Sequence, residues 1–138
     1  MVTALDEATK AWERSALLAH PRHVWGPVWL RLQYNAGISF SFDPSGASAT
    51  TIVTLVVALV VLVVGMRARP GVPSAGFGLL IGGGVANVVD RLIAYPHEVT
   101  DFIAVGRFPV FNLADASLSV GFVILVVAAA RGVRLLGS

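Results

Sequence analysis

The sequence predicts a mainly α-helical, polytopic membrane protein carrying a small β-sheet outside the bilayer. Three observations lead there. Hydrophobic residues make up 56% of the 138 and charged ones 13%, with a mean hydropathy of +0.78, too little charge for a water-facing surface. Three stretches are free of charge: Thr50–Met66, Gly71–Val89 and Ala116–Ala130. Between His20 and Ser48 the pattern changes, with aromatic residues set among prolines, glycines and serines.

The elements follow in order. Residues 20–49 read as an extracytoplasmic β region. In it VWLRLQYN alternates apolar and polar residues from Trp29 to Tyr34, as a half-buried strand does. Trp25, Trp29, Tyr34, Phe40 and Phe42 suit the membrane interface, and an aromatic belt with no ligand role is an equally open reading. Residues 50–66, 74–92 and 114–131 read as transmembrane helices. Each uncharged stretch is slightly short of the ~20 apolar residues that cross a bilayer, so the polar residues at its ends lie near the interfaces.

Orientation comes from the arginines. Arg67 and Arg69 share the turn RARPGVPS, and Arg131 and Arg134 stand on the tail; the positive-inside rule puts both in the cytoplasm. The segments around Asp101 and from Pro21 to Ser48 are then outside. With three spans the N-terminus is also outside, together with Lys10 and Arg14. MVTALDEATKAW lacks the basic and apolar regions of a signal peptide. Residues 1–19 are therefore expected to be the remnant of a truncated first span, ending in LDEATKAW. A short amphipathic helix on the membrane surface is the alternative.

Several functions are excluded. There is no cysteine, hence no disulfide or thiol chemistry. The net charge of +2 is too small and scattered for nucleic acid. His20, His23 and His97 lack the helical pairing of zinc enzymes, and no metal is expected. Gly78, Gly82 and Ala86 form a small-residue stripe, expected to serve helix packing.

Four of the eight acidic residues, Asp90, Glu98, Asp101 and Asp115, fall within 26 positions. Asn87, Asp90 and Arg91 share a helix face at the outer end of the second predicted span. Asn112 and Asp115 repeat the spacing at the third, and Asp101 is expected in the intervening loop. Singly, Asp115 reads as an acid at a helix N-terminus, and Asp90 with Arg91 as an ion-pairing set. Together, ionisable residues at span ends point to a functional site. Two aspartates in one site repel each other, so one keeps a proton while the other is ionised. The ionised one can accept a proton from water and the other can donate to a carbonyl oxygen, with no metal and no covalent intermediate. Asn87, Asn112 and Arg91 are placed to orient such a pair.

These residues also carry a resemblance. NAGISF, NVVDR, VTDF and FNLAD resemble, in order, the N-x-G-x-x-F, N-x-x-D-R, V-x-D-F and F-N-x-A-D motifs of the signal peptidase II (lipoprotein signal peptidase) family. LDEATK resembles the D-x-x-T-K that closes its first membrane helix. Five motifs in order across Leu5–Val120 make the resemblance specific. It implies a four-helix transmembrane bundle, its first helix truncated here, with an extracytoplasmic sheet cradling the substrate. It implies an aspartyl endopeptidase that cuts a diacylglyceryl prolipoprotein just before the lipid-modified cysteine, in the bacterial inner membrane, active site outward, monomeric and without cofactor. Carried over by motif, the catalytic pair is Asp101 and Asp115. Asn87, Asp90, Arg91, Asn112 and Ala114 support it, Asn35, Gly37 and Phe40 contact substrate, and Asp6 and Lys10 are polar anchors of the first helix. Asp90 is the rival for the pair, but the permanent cation Arg91 beside it favours a fixed carboxylate. Glu7, Ser39 and Ala86 stand where the family usually has glutamine, alanine and glycine. The competing readings are a small transporter or scaffold and a non-cleaving lipopeptide-binding homologue; a transporter needs acids near the bilayer midplane, whereas these stand at span ends.

Overall fold

The computed structural model describes residues 1–17, 20–35, 47–93 and 98–137, so Gly37, Ser39, Phe40 and His97 lie outside the described residues. Seven elements follow in chain order: α1 (Val2–Leu17), β1 (Arg22–Trp25), β2 (Val28–Asn35), α2 (Ala47–Gly65), α3 (Val72–Ile93), β3 (Val99–Val105) and α4 (Leu113–Ala130). The protein is mainly helical with a small three-stranded antiparallel sheet.

α3 and α4 are long and apolar enough to cross a membrane, and α2 is a shorter apolar helix over Thr51–Gly65. On α2 and α4 the apolar side chains largely face outward. Ile52, Val56, Leu59 and Val60 on α2, and Phe122, Val123 and Val126 on α4, are exposed. In water such a surface would be adhesive; against lipid it costs nothing. α1 has the opposite pattern, burying Asp6, Lys10, Glu13 and Leu17 along one face.

α3 is the centre of the packing and touches α1, α2 and α4. Its contact with α4 runs through glycines other than the predicted stripe. A Cβ on Gly83 would lie 2.5 Å from Ser117 Oγ and 2.6 Å from the Ala114 carbonyl oxygen, and one on Gly121 would lie 2.8 Å from the Gly76 carbonyl. Of the expected stripe, Gly82 meets Val2 of α1 and Gly78 faces open space. The reason is rotational: Gly76 and Gly83, seven positions apart, share the face turned to α4.

At the far end of α3, the turn after α2 and the C-terminal segment are joined by backbone bonds, Arg69 N–H to Leu135 O (3.0 Å) and Gly137 N–H to Arg67 O (2.7 Å). The two arginine-bearing segments therefore share one end of the molecule.

In the sheet, β2 lies between β1 and β3. Its residues alternate between half-buried and exposed for most of their length. β3 corrects the sequence expectation: Asp101 is in a strand, paired with Gln33 of β2, and not in a loop. The β-branched residues Val99, Thr100, Ile103 and Val105 favour extension, and a charged residue in their midst disguised the strand. On the other side of β3, Ile103 and Phe111 exchange backbone hydrogen bonds at 2.7 and 3.0 Å. That bridge brings the start of α4 beside the strand carrying Asp101.

Candidate active site

The site starts from the N-terminus of α4. Asn112 is its N-cap: Asn112 Oδ1 accepts the Asp115 N–H (2.8 Å), and the Asn112 N–H donates to Asp115 Oδ2 (3.3 Å). This reciprocal capping box satisfies helix-end donors and fixes the Asp115 carboxylate relative to the helix axis. Its other oxygen, Oδ1, accepts from Asn87 Nδ2 of α3 at 2.9 Å.

Asn112 is fully buried, and its amide joins three elements. Nδ2 donates to Asp101 Oδ1 at 2.8 Å and to Asn87 Oδ1 at 3.2 Å. Asn35, at the end of β2, donates from Nδ2 to Asp101 Oδ2 at 3.1 Å. Asn35 is paired with Val99 and therefore diagonal to Asp101 on the same sheet face. A chain of amides thus holds the two aspartates.

Their environments differ. Asp101 is 1% exposed, whereas Asp115 is partly exposed. Burial pushes the Asp101 carboxyl from 3.8 up to about 7, and the Asp115 charge acts in the same direction; the Asn35 and Asn112 amides act in the opposite one. One acid is thereby suited to hold a proton near neutrality beside another at the mouth of a cavity.

Both line a cavity of about 480 Å³ with Asn35, Asn87 and Arg91, walled by Val99, Phe108, Val110, Phe111 and Leu118. A narrower cavity of about 170 Å³ between α2 and α3 reaches the same Asn87, Arg91 and Asp115. A few converging polar groups in an apolar cleft have the make-up of a site for an amphipathic ligand.

Asp90 is elsewhere. It is fully buried and paired with two cations of α1, Lys10 Nζ at 2.6 Å and Arg14 Nη2 at 2.8 Å. Its sequence neighbour Arg91 lines the cavity, where Asp115 and then Asp101 are its main carboxylate neighbours. Consecutive helix positions point about 100° apart, so Asp90 and Arg91 serve different faces. Lys10 also pairs with Asp6 at 2.5 Å, and Asp6 Oδ1 accepts the Ala114 N–H at 2.8 Å. The predicted residues therefore fall into two groups. Asn35, Asn87, Arg91, Asp101, Asn112 and Asp115 surround or brace the cavity, while Asp6, Lys10, Asp90 and Ala114 lie behind it.

Two contributors had not been singled out from the sequence. Arg14 donates from Nε (3.1 Å) and Nη2 (2.8 Å) to Thr100 Oγ1, and the Thr100 N–H donates to Asp90 Oδ2 at 3.0 Å. The available signal was the spacing of Asp6, Lys10 and Arg14 at i, i+4 and i+8, a charged stripe on one face of α1.

Apolar helices ending at a cavity lined by two unlike carboxylates define a class: a membrane protein with paired carboxylates at one end of its helices. Within that class the chain belongs to the signal peptidase II family, whose description, Signal peptidase (SPase) II, matches residues 1–131. It is 37% identical over 112 residues to the lipoprotein signal peptidase of Rhodococcus jostii (strain RHA1), covering 73% of this chain and 57% of that protein. To the lipoprotein signal peptidase of Streptomyces coelicolor (strain ATCC BAA-471 / A3(2) / M145) it is 39% identical over 113 residues, covering 75% and 54%. The chain thus spans a little over half the length of these two relatives. A solved structure described as a bacterial membrane enzyme, determined in meso at 2.3 Å, shares the fold with a TM-score of 0.82 at 24% identity, over 94% of this chain and 83% of the other.

Proposed function

We propose that this chain is a lipoprotein signal peptidase, an aspartyl endopeptidase that cuts the signal peptide of a diacylglyceryl prolipoprotein just before the lipid-modified cysteine. Supporting this most directly is the pairing of Asp101 and Asp115, from β3 and α4, at one cavity in unlike environments. In this reading α1 to α4 form a four-helix membrane bundle in the bacterial inner membrane. The sheet and the cavity face outward, the arginine-bearing turns face the cytoplasm, and the chain acts as a monomer without cofactor.

Asp101 is the proton-bearing partner and Asp115 takes the part of the base. A water in the cavity gives a proton to Asp115 while its oxygen attacks the scissile carbonyl, and Asp101 donates its proton to the carbonyl oxygen. The tetrahedral diol collapses as the C–N bond breaks: Asp115 returns its proton to the leaving nitrogen and Asp101 recovers one from the diol. Asn87 and Asn112 keep the carboxylates in register through the step, and Arg91 balances the negative charge beside Asp115. Phe108, Val110 and Leu118 offer apolar wall to the acyl chains or the signal peptide.

The test is processing of a synthetic diacylglyceryl prolipoprotein by the purified chain in nanodiscs, read by mass spectrometry of the new lipid-cysteine N-terminus. The parent is expected to cleave, and Asp101→Asn and Asp115→Asn each to lose about 10²–10⁴-fold in rate. Normal cleavage by Asp101→Asn, with loss in Asp90→Asn, would transfer the role to Asp90. Unchanged cleavage by Asp115→Asn would sink the aspartyl mechanism.

A further inference from the structure

The cluster behind the cavity is a chain of alternating charge: Arg14, Asp90, Lys10 and Asp6, linked at 2.8, 2.6 and 2.5 Å. Each acid in it also accepts a backbone N–H, Asp90 from Thr100 and Asp6 from Ala114. Thr100 and Ala114 are the residues immediately before Asp101 and Asp115. The N-terminal helix therefore holds the backbone of both aspartate-bearing segments through one buried ionic chain.

Arg14 adds a side-chain hold at the strand end, through both bonds to Thr100 Oγ1. Successive strand residues point to opposite faces, so Arg14 grips β3 from behind while Asp101 faces the cavity. Thr100 is fully buried, and its hydroxyl and its N–H are both taken up by this chain. A hydroxyl acceptor there adds little to holding α1 in place, since Asp90 already binds Arg14. It does fix where the strand lies across the cavity.

We infer that Arg14 and Thr100 are positioning residues, which set the separation of Asp101 from Asp115 through the backbone of β3. The inference rests on the proposed peptidase activity and names further residues that serve it. The charged groups acting on Asp101 are Asp115 from α4, Arg91 from α3 and, from behind the strand, Lys10 of α1, with the Asn35 amide from β2 and the Asn112 amide beside it. Proximity of Asp115 and exclusion of water both keep the Asp101 proton on. A slackened strand weakens both effects, while the two cations still favour the ionised form.

The test uses Thr100→Val, which keeps volume, β-branching and the N–H to Asp90 but removes the acceptor for Arg14. Thr100→Ser restores the hydroxyl, and Arg14→Gln removes the donor should the valine variant fail to fold. Each full chain is placed in nanodiscs with ¹³C-labelled aspartate carboxyls, the Asp101 resonance being identified by its loss in Asp101→Asn. The Asp101 titration midpoint is expected to fall by about half a pH unit or more in Thr100→Val and Arg14→Gln, and to match the parent in Thr100→Ser. In the cleavage assay kcat is expected to drop about tenfold in the first two, with KM unchanged, as misplacement of reacting groups predicts. A parent-like midpoint and kcat in Thr100→Val, even with a lowered Tm, would reduce the contact to a structural one and overturn the inference. If the parent itself cleaves nothing, the proposed activity fails, and the titration still decides whether Arg14 and Thr100 position Asp101.

Discussion

Asp101 has both oxygens occupied by amide donors and almost no contact with water. Amide hydrogen bonds favour the carboxylate, yet burial and the Asp115 charge outweigh them and hold the carboxyl at about 7. Two consequences belong to this one residue. Cleavage is expected to fall as pH rises through an apparent pKa near 7, when the pair loses its shared proton; a rate profile from about pH 5 to about pH 9 checks it. Stability has the same sign. The folded state keeps the Asp101 proton up to about 7, whereas an unfolded chain releases it near 3.8, so the contribution of this residue to stability falls as pH rises between those values and is constant on either side. A Tm series in detergent should show that decline in the parent and a smaller slope in Asp101→Asn.

At the scale of elements, the site depends on how closely α3 and α4 approach. Asn87 of α3 reaches Asp115 of α4 only because Gly83, one turn earlier, lets the Ala114 carbonyl and Ser117 press against the backbone of α3. Gly83→Ala forces that backbone contact apart and is expected to cost about 1–3 kcal/mol, the usual range for overpacking. It should lower the Tm and the cleavage rate together, because Asp115 moves with Ala114. Gly78→Ala, one face away in open space, should leave cleavage unchanged and keep or slightly raise the Tm, since alanine is the better helix former. Comparing the two by thermal melt and cleavage assay separates close helix approach from any general effect of removing a glycine.

At the scale of the whole molecule, α1 acts as a charged key. Lys10 and Asp6 are completely buried, as is Asp90, and one cation serves two acids drawn from α1 and α3. Removing one partner from such a set leaves a buried charge uncompensated, so Lys10→Met is expected to cost about 3–5 kcal/mol. The double variant Asp6→Asn, Lys10→Met should recover part of that loss, since the introduced amide would still accept the Ala114 N–H without needing a cation. Denaturant or thermal unfolding of Lys10→Met, Asp6→Asn and the double variant measures the non-additivity.

How far the sequence could be read follows from the range of the forces involved. Apolar helices, the arginine-bearing ends and the alternating strand VWLRLQYN were legible because hydropathy and period are properties of neighbouring residues. The gathering of Asn87, Asn112 and Asp115 was legible too, because Asn-x-x-Asp recurs at the ends of two apolar stretches. Asp101 was misplaced in a loop because a strand at a sheet edge is defined by partners, and β2 stands 66 positions away at Asn35. By itself the sequence determined which side chains are present and which segments are apolar. Only the tertiary structure decided that Asp90 turns back onto α1, that Arg14 grips Thr100, and that Asp6 reaches Ala114 across 108 positions. Those contacts depend on where α1, α3, β3 and α4 meet, and no local pattern encodes a meeting between distant elements.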